Sequence, residues 1–252
     1  SGHYGNFMPN PAFAMARILG STKAPNGVVT IDGFYDGVEL DDETRAMLAA
    51  VPDDEAAILR SVGLIRSDEV ADTLQESIQF PSLNIRGLSA AWTGAASRTI
   101  IPPEAVAELD VRLVLESDPE RLIGLVKRHI EDQGFTVIDH APSDDERLKY
   151  ARIVSMTSDI SYGAFRSAPD SPPALLARAG MRHLYGHEPI LIRTMGGSIP
   201  IAPIIAALGV PAATVPTVNI DNNQHSPNEN LRVGNFIEGI AILMSVLQQS
   251  PP

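Results

Sequence analysis

Ten residues near the end of the chain, Asp221–Asn230 (DNNQHSPNEN), hold four asparagines, a glutamine and one histidine, His225. An imidazole in so polar a setting suits a hydrogen-bonded surface spacer, and it equally suits a metal ligand or general base. One histidine leaves both readings open. Asp221, His225 and Glu229 recur every four residues, but Pro227 and the asparagines make the stretch a loop, so no shared helix face follows. His183 and His187 have the i, i+4 spacing that can present two imidazoles to one zinc. Gly186 ends the expected helix between them and no acidic residue intervenes, which favours surface or packing roles. In Gly196-Gly197-Ser198-Ile199-Pro200, two glycines let backbone N–H groups turn toward one point, and Ser198 can cap a helix whose first turn holds Pro200. Such an N-terminus suits a carboxylate or phosphate. A plain strand-to-helix turn is the reading the local pattern favours. Arg112, on the polar face of a strand, either pairs with a neighbouring carboxylate or grips a substrate carboxylate in its fork. It closes the stretch RTIIPPEAVAELDVR, which also carries Thr99.

The elements that must position these residues follow from periodicity and caps. Asn10-Pro11 caps and starts a helix that Gly20 closes, with Phe13, Met15, Ile18 and Leu19 as its apolar surface. Asp41 to Ile78 is acidic, with short helical patterns expected at the surface. SLNIRGLSAAW reads as a strand with Leu83, Ile85 and Leu88 pointing inward. AVAELDVRLVL alternates cleanly, placing Leu109, Val111, Leu113 and Leu115 on one face. A helix opened by a Ser117–Glu120 capping box runs to Gly134 with Leu122, Leu125, Val126 and Ile130 as its stripe. FTVIDH is a further strand. This order predicts a two-layer α/β sandwich, helices on one face of an antiparallel sheet. After Ser171 the pattern gives a helix to Tyr185, a strand PILIRT, the glycine turn, a short helix, a strand AATVPTV and a last helix striped by Phe236, Ile240, Leu243 and Leu247. Strand and helix alternating in this way predict an α/β layer with buried, parallel strands.

The bulk numbers bound the partners. The chain has 252 residues, enough for two moderate domains. Its net charge of −12 argues against nucleic acid or an anionic membrane as the main partner. It contains no cysteine, so any metal must be held by imidazole and carboxylate. Thr194–Ile220 is the longest run without a charged residue, yet it carries four prolines and Gly209, which would break a spanning helix repeatedly. The polar opening SGHYGN predicts no secretory leader, and a cytoplasmic location is the default expectation.

The ordered set SGHYGN…NP, SRTIIP…VR, GGSIP and HSPNE resembles the dinuclear zinc metallopeptidases that include carnosinase, aminoacylase and related deacylases, nearest their carnosinase-like dipeptidase branch. The resemblance implies that residues 1–165 are a lid or dimerisation domain, with its first strand expected ahead of Ser1. It makes residues 166–252 the C-terminal part of an α/β catalytic domain. His225 then matches a zinc ligand, Thr99 a lid residue acting on the partner subunit's site, and Arg112, Gly196, Gly197 and Ser198 the groups around the substrate carboxylate. The family's His-x-Asp, bridging Asp and Glu-Glu ligands do not occur here, and Met195 stands where relatives often carry an acid. The resemblance therefore implies a piece of a homodimeric two-zinc hydrolase of dipeptides or N-acyl amino acids, inactive alone because this chain supplies at most one ligand. A non-catalytic dimerisation or small-ligand-binding module of the same fold is the alternative.

Overall fold

The computed structural model describes residues 2–197 and 199–250, which form two compact units. The first takes the chain up to Asp41 together with Asp53–Ala164, and the second takes Asp42–Pro52 and the chain from Phe165 onward. The first unit contains α1 (Pro11–Gly20), α3 (Glu55–Ser61), α4 (Leu74–Ser77), β1 (Ser82–Ser89), β2 (Val106–Arg112), α5 (Pro119–Asp132), β3 (Thr136–Ile138), α6 (Asp144–Lys149) and β4 (Ile153–Ser155). The second contains α2 (Asp42–Ala49), α7 (Pro172–Tyr185), α8 (Ala202–Leu208) and α9 (Val233–Leu247).

The first unit is the expected two-layer α/β arrangement. Asn10 caps α1 by accepting from Ala12 N at 2.9 Å, leaving Ile18 and Leu19 buried while Phe13 stays exposed. One face of α5 supplies Leu122, Val126 and Ile130 to a core shared with Ile18, Val29, Ile31, Phe34 and Leu83. Leu109, Val111 and Leu113 of the β2 region pack against it. The helix cap is Asp118 rather than Ser117, accepting from the amides of Glu120 and Arg121. The reason is Pro119: a residue before proline is held extended, so Asp118 cannot be helical and becomes the cap.

β1 and β2 pair antiparallel, with a bulge between Ile85 and Gly87. Leu88 lies five residues after Leu83 and would fall on the opposite face of a regular strand. The bulge restores its phase, so Leu83, Ile85 and Leu88 oppose Val111, Leu109 and Ala107 on one face. Only the Leu83 end is covered; Ile85 and Leu88 remain 49% and 61% exposed, against the expectation that they point into a core. Leu115 is likewise exposed and Val114 buried, because β2 ends at Arg112 and its alternation ends with it. β3 and β4 pair parallel, not antiparallel. The connection through α6 supplies the crossover that a parallel pair needs.

The second unit departs further from expectation. Among the described residues, neither 189–194 nor 212–218 forms a strand. Extended chain becomes strand only through a neighbour's hydrogen bonds, and these runs find no ladder within the unit. α7 and α9 pack antiparallel instead. Ser245 Oγ donates to Gly180 O at 2.8 Å at one end, and Tyr185 OH donates to Glu238 Oε1 at 2.6 Å at the other. α9 buries Gly239, Ile242 and Ser245, whereas Phe236, Ile240, Leu243 and Leu247 are exposed. The helix is apolar on nearly every side, so its periodicity does not choose a face. Small residues do, because they allow the backbones to approach closely. No helix among the described residues is long and apolar enough to cross a membrane.

Candidate functional site

His225 sits at φ 61°, in a loop where Asn223 and Asn228 are also left-handed at 53° and 63°. Asparagine and histidine tolerate this region better than most residues. The asparagines around it form the frame. Buried Asn219 donates from Nδ2 to Asp221 Oδ1 at 2.9 Å and to Asn230 Oδ1 at 3.3 Å, and its Oδ1 accepts from Arg232 N at 3.1 Å. Arg232 also pairs with Asp221 through Nη2. Asn230 N donates to Asn222 O at 2.8 Å, closing the loop above these contacts. The hydrogen bond from Asn219, then the nearby Arg232 charge, hold the Asp221 carboxyl below its ordinary range. His225 is exposed on this frame. The asparagine density was the visible signal; Asn219 and Arg232, which anchor the frame from outside DNNQHSPNEN, carried none.

Gly196 and Gly197 are exposed in an irregular segment, and Ser198 lies outside the described residues. The expectation that Pro200 sits in the first turn of the following helix is corrected by α8, which begins at Ala202 with Ile201 at the cap position. Pro203 is the proline in its first turn. The glycines therefore precede a short helix without forming its N-terminus. His183 is exposed in the last turn of α7, while His187 lies beyond left-handed Gly186, its Nδ1 3.0 Å from Glu188 O. The two imidazoles do not share a helix face.

In the first unit, Thr99 is exposed within the connection from Ala90 to Ala105 that links β1 to β2. The regular structure of that connection is a single 3-10 turn, Gly94–Ala96, and long connections with so little of their own are uncommon and often functional. Arg112 ends β2, half exposed, with Nε 2.7 Å from Asp110 Oδ2. A neighbouring carboxylate thus meets one edge of its guanidinium.

A cluster not singled out in the sequence surrounds His140. Its Nδ1 lies 2.9 Å from Asp139 Oδ1 and its Nε2 3.0 Å from Glu146 Oε1. Glu146 also completes a capping box at the start of α6, accepting from Ser143 N at 2.9 Å and Ser143 Oγ at 2.7 Å. Those Ser143 bonds, with His140, hold the Glu146 carboxyl down at about 2. Asp139 and then Glu146 push the His140 imidazole up. Both ring nitrogens are spent on carboxylates, so this histidine ties the end of β3 to α6. The pattern Ser143-x-x-Glu146 is the signal that could have found it.

Among the described residues, no group of three or more His, Asp or Glu side chains is arranged to hold a metal ion. An exposed imidazole such as His225 suits zinc as one ligand, but a catalytic zinc takes three protein ligands. The residues present fit one corner of a metal site and not a whole one.

Comparison with known proteins bears on both units. The chain is 28% identical to the Cys-Gly metallodipeptidase DUG1 of Saccharomyces cerevisiae over 98% of its own length and 50% of that protein. It is 28% identical to the Beta-Ala-His dipeptidase of Homo sapiens over 95% of its length and 46% of that protein. The chain thus spans about half the length of the curated relatives it matches. Among solved structures it superposes on an M20 family metallo-carboxypeptidase from Sulfolobus solfataricus with a TM-score of 0.77 at 23% identity, covering 98% of this chain and 54% of the other. Human carnosine dipeptidase 1 gives 0.75 at 24% identity, covering 98% and 51%. These likenesses establish a shared α/β fold. The family model of the peptidase dimerisation domain matches residues 1–136. With more than half of its length accounted for in this way, the chain belongs to the M20 peptidase dimerisation-domain family.

Proposed function

We propose that this chain forms the lid or dimerisation domain (residues 1–165) and the C-terminal part of the catalytic domain (166–252) of a homodimeric, zinc-dependent hydrolase of dipeptides or N-acyl amino acids. The observation that carries this is the continuity of the match: one metallodipeptidase aligns with 98% of the chain, through both units. In this reading His225 is one zinc ligand, presented on the asparagine frame, and the remaining ligands come from polypeptide outside this chain. Bound zinc in such enzymes supplies an activated water. Arg112, with Gly196, Gly197 and Ser198, holds the substrate carboxylate, and Thr99 reaches the partner subunit's site. The guanidinium of Arg112 keeps the planar geometry that a carboxylate needs once Asp110 is displaced. Alone, the chain is inactive.

The test starts from the gene. The complete reading frame should carry further histidine and acidic ligands upstream of the Ser1 codon. The polypeptide containing them should be a dimer that hydrolyses Cys-Gly or β-Ala-His, losing activity on chelation and in His225→Ala. A complete gene without such ligands would overturn the proposal. So would a dimer indifferent to both chelation and His225→Ala, the outcome expected of a non-catalytic module.

A further inference from the structure

Asn26 is the one asparagine of the chain followed by glycine; the others precede proline or a residue with a bulkier side chain. Such a pair can close on itself, because no Cβ at the glycine shields its amide nitrogen from the asparagine side chain. Asn26 is exposed, at the tip of a hairpin held by the bridge between Lys23 and Val29. Gly27 N donates to Ala24 O at 2.9 Å, with Pro25 second in the turn and Asn26, at a negative φ, third. That is a type I turn. Val28 N donates to Asn26 Oδ1 at 3.3 Å, and Glu69 N donates to Asn26 O at 2.8 Å. Asp68 packs against Gly27, where an added Cβ would lie 2.0 Å from Asp68 Cγ, and its carboxylate pairs with Lys23 Nζ at 3.4 Å.

We propose that Asn26 is a site of spontaneous deamidation whose rate the turn controls. The Gly27 nitrogen, having given its proton to hydroxide, attacks Asn26 Cγ. As the new N–C bond forms, the bond from Cγ to Nδ2 breaks, and the departing nitrogen takes a proton from water and leaves as ammonia. Water then adds to the cyclic imide, which opens to aspartate or isoaspartate. The closed turn resists ring closure in two ways. Ala24 O holds the Gly27 N–H. A type I turn also sets ψ at its third residue near about 0°, which points Gly27 N away from Cβ, whereas the five-membered ring needs Cβ, Cα, C and N nearly eclipsed. Closure therefore proceeds through an opened turn, a local event with its own small free energy. Isoaspartate then routes the main chain through Cβ and takes residue 26 out of register with Glu69 N.

The test is timed incubation of the full chain in mildly alkaline buffer, beside a peptide spanning residues 22–30, with conversion followed by peptide mapping and mass spectrometry. Conversion at Asn26 is expected, slower than in the peptide by about tenfold to a hundredfold, at the low end of local opening. Pro25→Ala, compared with its own peptide, should narrow that gap about two- to fivefold, because proline restricts the opened chain. Circular dichroism checks that the variant folds, and urea below the unfolding transition gives the same comparison on the wild-type chain. The Glu69 amide should exchange faster in the isoaspartyl fraction, having lost its acceptor. A rate equal to or above the peptide's overturns the proposal, as does an Asn26 that stays intact beyond about a hundredfold slowing. So does a gap that neither Pro25→Ala nor urea narrows.

Discussion

Gly180 in α7 is the position where two opposing rules can be weighed against each other. Replacing a glycine in a helix interior by alanine ordinarily stabilises by about 1 kcal/mol, because the unfolded chain loses freedom and the helix gains a better former. At Gly180 the added Cβ would lie 2.6 Å from Val246 Cα and 2.7 Å from Val246 N and Cγ2. Two of those atoms are backbone, so α9 must move by roughly 1 Å to restore contact distance. Overpacking of this kind costs about 1–3 kcal/mol. The same displacement stretches the Ser245–Gly180 hydrogen bond, worth about 1 kcal/mol. Against about 1 kcal/mol of gain, the net is a loss of about 1–3 kcal/mol. Gly124 in α5 provides the control, because a Cβ there meets nothing within 4 Å. Gly124→Ala should therefore stabilise by up to about 1 kcal/mol. Urea titration followed by hydrogen exchange of the α5, α7 and α9 amides separates the two effects by unit. If Gly180→Ala protects α7 and α9 as Gly124→Ala protects α5, the close approach of the helices is wrong.

Other expectations follow from single side chains. Asp118→Ala should destabilise α5 by about 1 kcal/mol while Ser117→Ala costs less, read from thermal melts, because the cap is Asp118. Asp139 and then Glu146 favour the charged form of the His140 imidazole, so its folded pKa lies above its ordinary 6.5. Its contribution is complete below pH 6.5 and is lost as pH rises through the folded value. Exchange of the α6 amides should quicken over that range in the wild type and lose the trend in His140→Gln. Glu146 runs the other way: its tie is present above its ordinary 4.5 and lost as pH falls toward about 2, a loss that Glu146→Gln should remove from acid titrations. Tyr185 donates to the Glu238 carboxylate and its hydroxyl is pushed up to about 12; Glu238→Gln should lower the phenolate transition in an ultraviolet titration. Asn219→Ala strips Arg232 N of its acceptor and Asp221 and Asn230 of a donor. It should cost about 1–3 kcal/mol and broaden the His225 resonances in NMR spectra.

Helix ends were the most legible part of the chain, since caps act through residues adjacent in sequence. Asn10-Pro11 starts α1, and left-handed Gly186 stops α7, each where the residue type requires it. The Ser117–Glu120 pattern misled by one position because proline constrains its predecessor more firmly than a capping box attracts it. Which face of a strand or helix is buried was less legible, because it depends on what lies opposite. Leu83, Ile85 and Leu88 share a face, yet only Leu83 is covered. The apparent strands at 189–194 and 212–218 have the composition of buried strands and lack a ladder, since pairing is a property of two segments. The loop around His225 could be read as a loop, but not its frame. Asn219 and Arg232 reach it through polar contacts that leave no period in the sequence.

The two units differ in how far each supports itself, and this bears on the proposed function. The contiguous core runs through Ile18, Val29, Ile31, Phe34, Leu83, Leu122, Val126 and Ile130, all in the first unit. In the second, the buried large apolar residues among those described are Leu48 and Ile242. α9 meanwhile shows water about half or more of Phe236, Ile237, Ile240, Leu243, Met244 and Leu247. Burying each such side chain fully is worth about 1.5–3 kcal/mol, so covering what this helix leaves exposed would add on the order of 5–10 kcal/mol. That is as much as the whole stability of a typical domain. A helix apolar on nearly every side belongs in the middle of a layer rather than at its edge. The same holds for the runs 189–194 and 212–218, whose Ile190, Ile192 and Val218 are exposed. A catalytic domain whose other layers come from polypeptide outside this chain would cover these surfaces. Under the proposed function those layers would also bring the ligands that join His225, and completing the core and completing the metal site would then be one requirement.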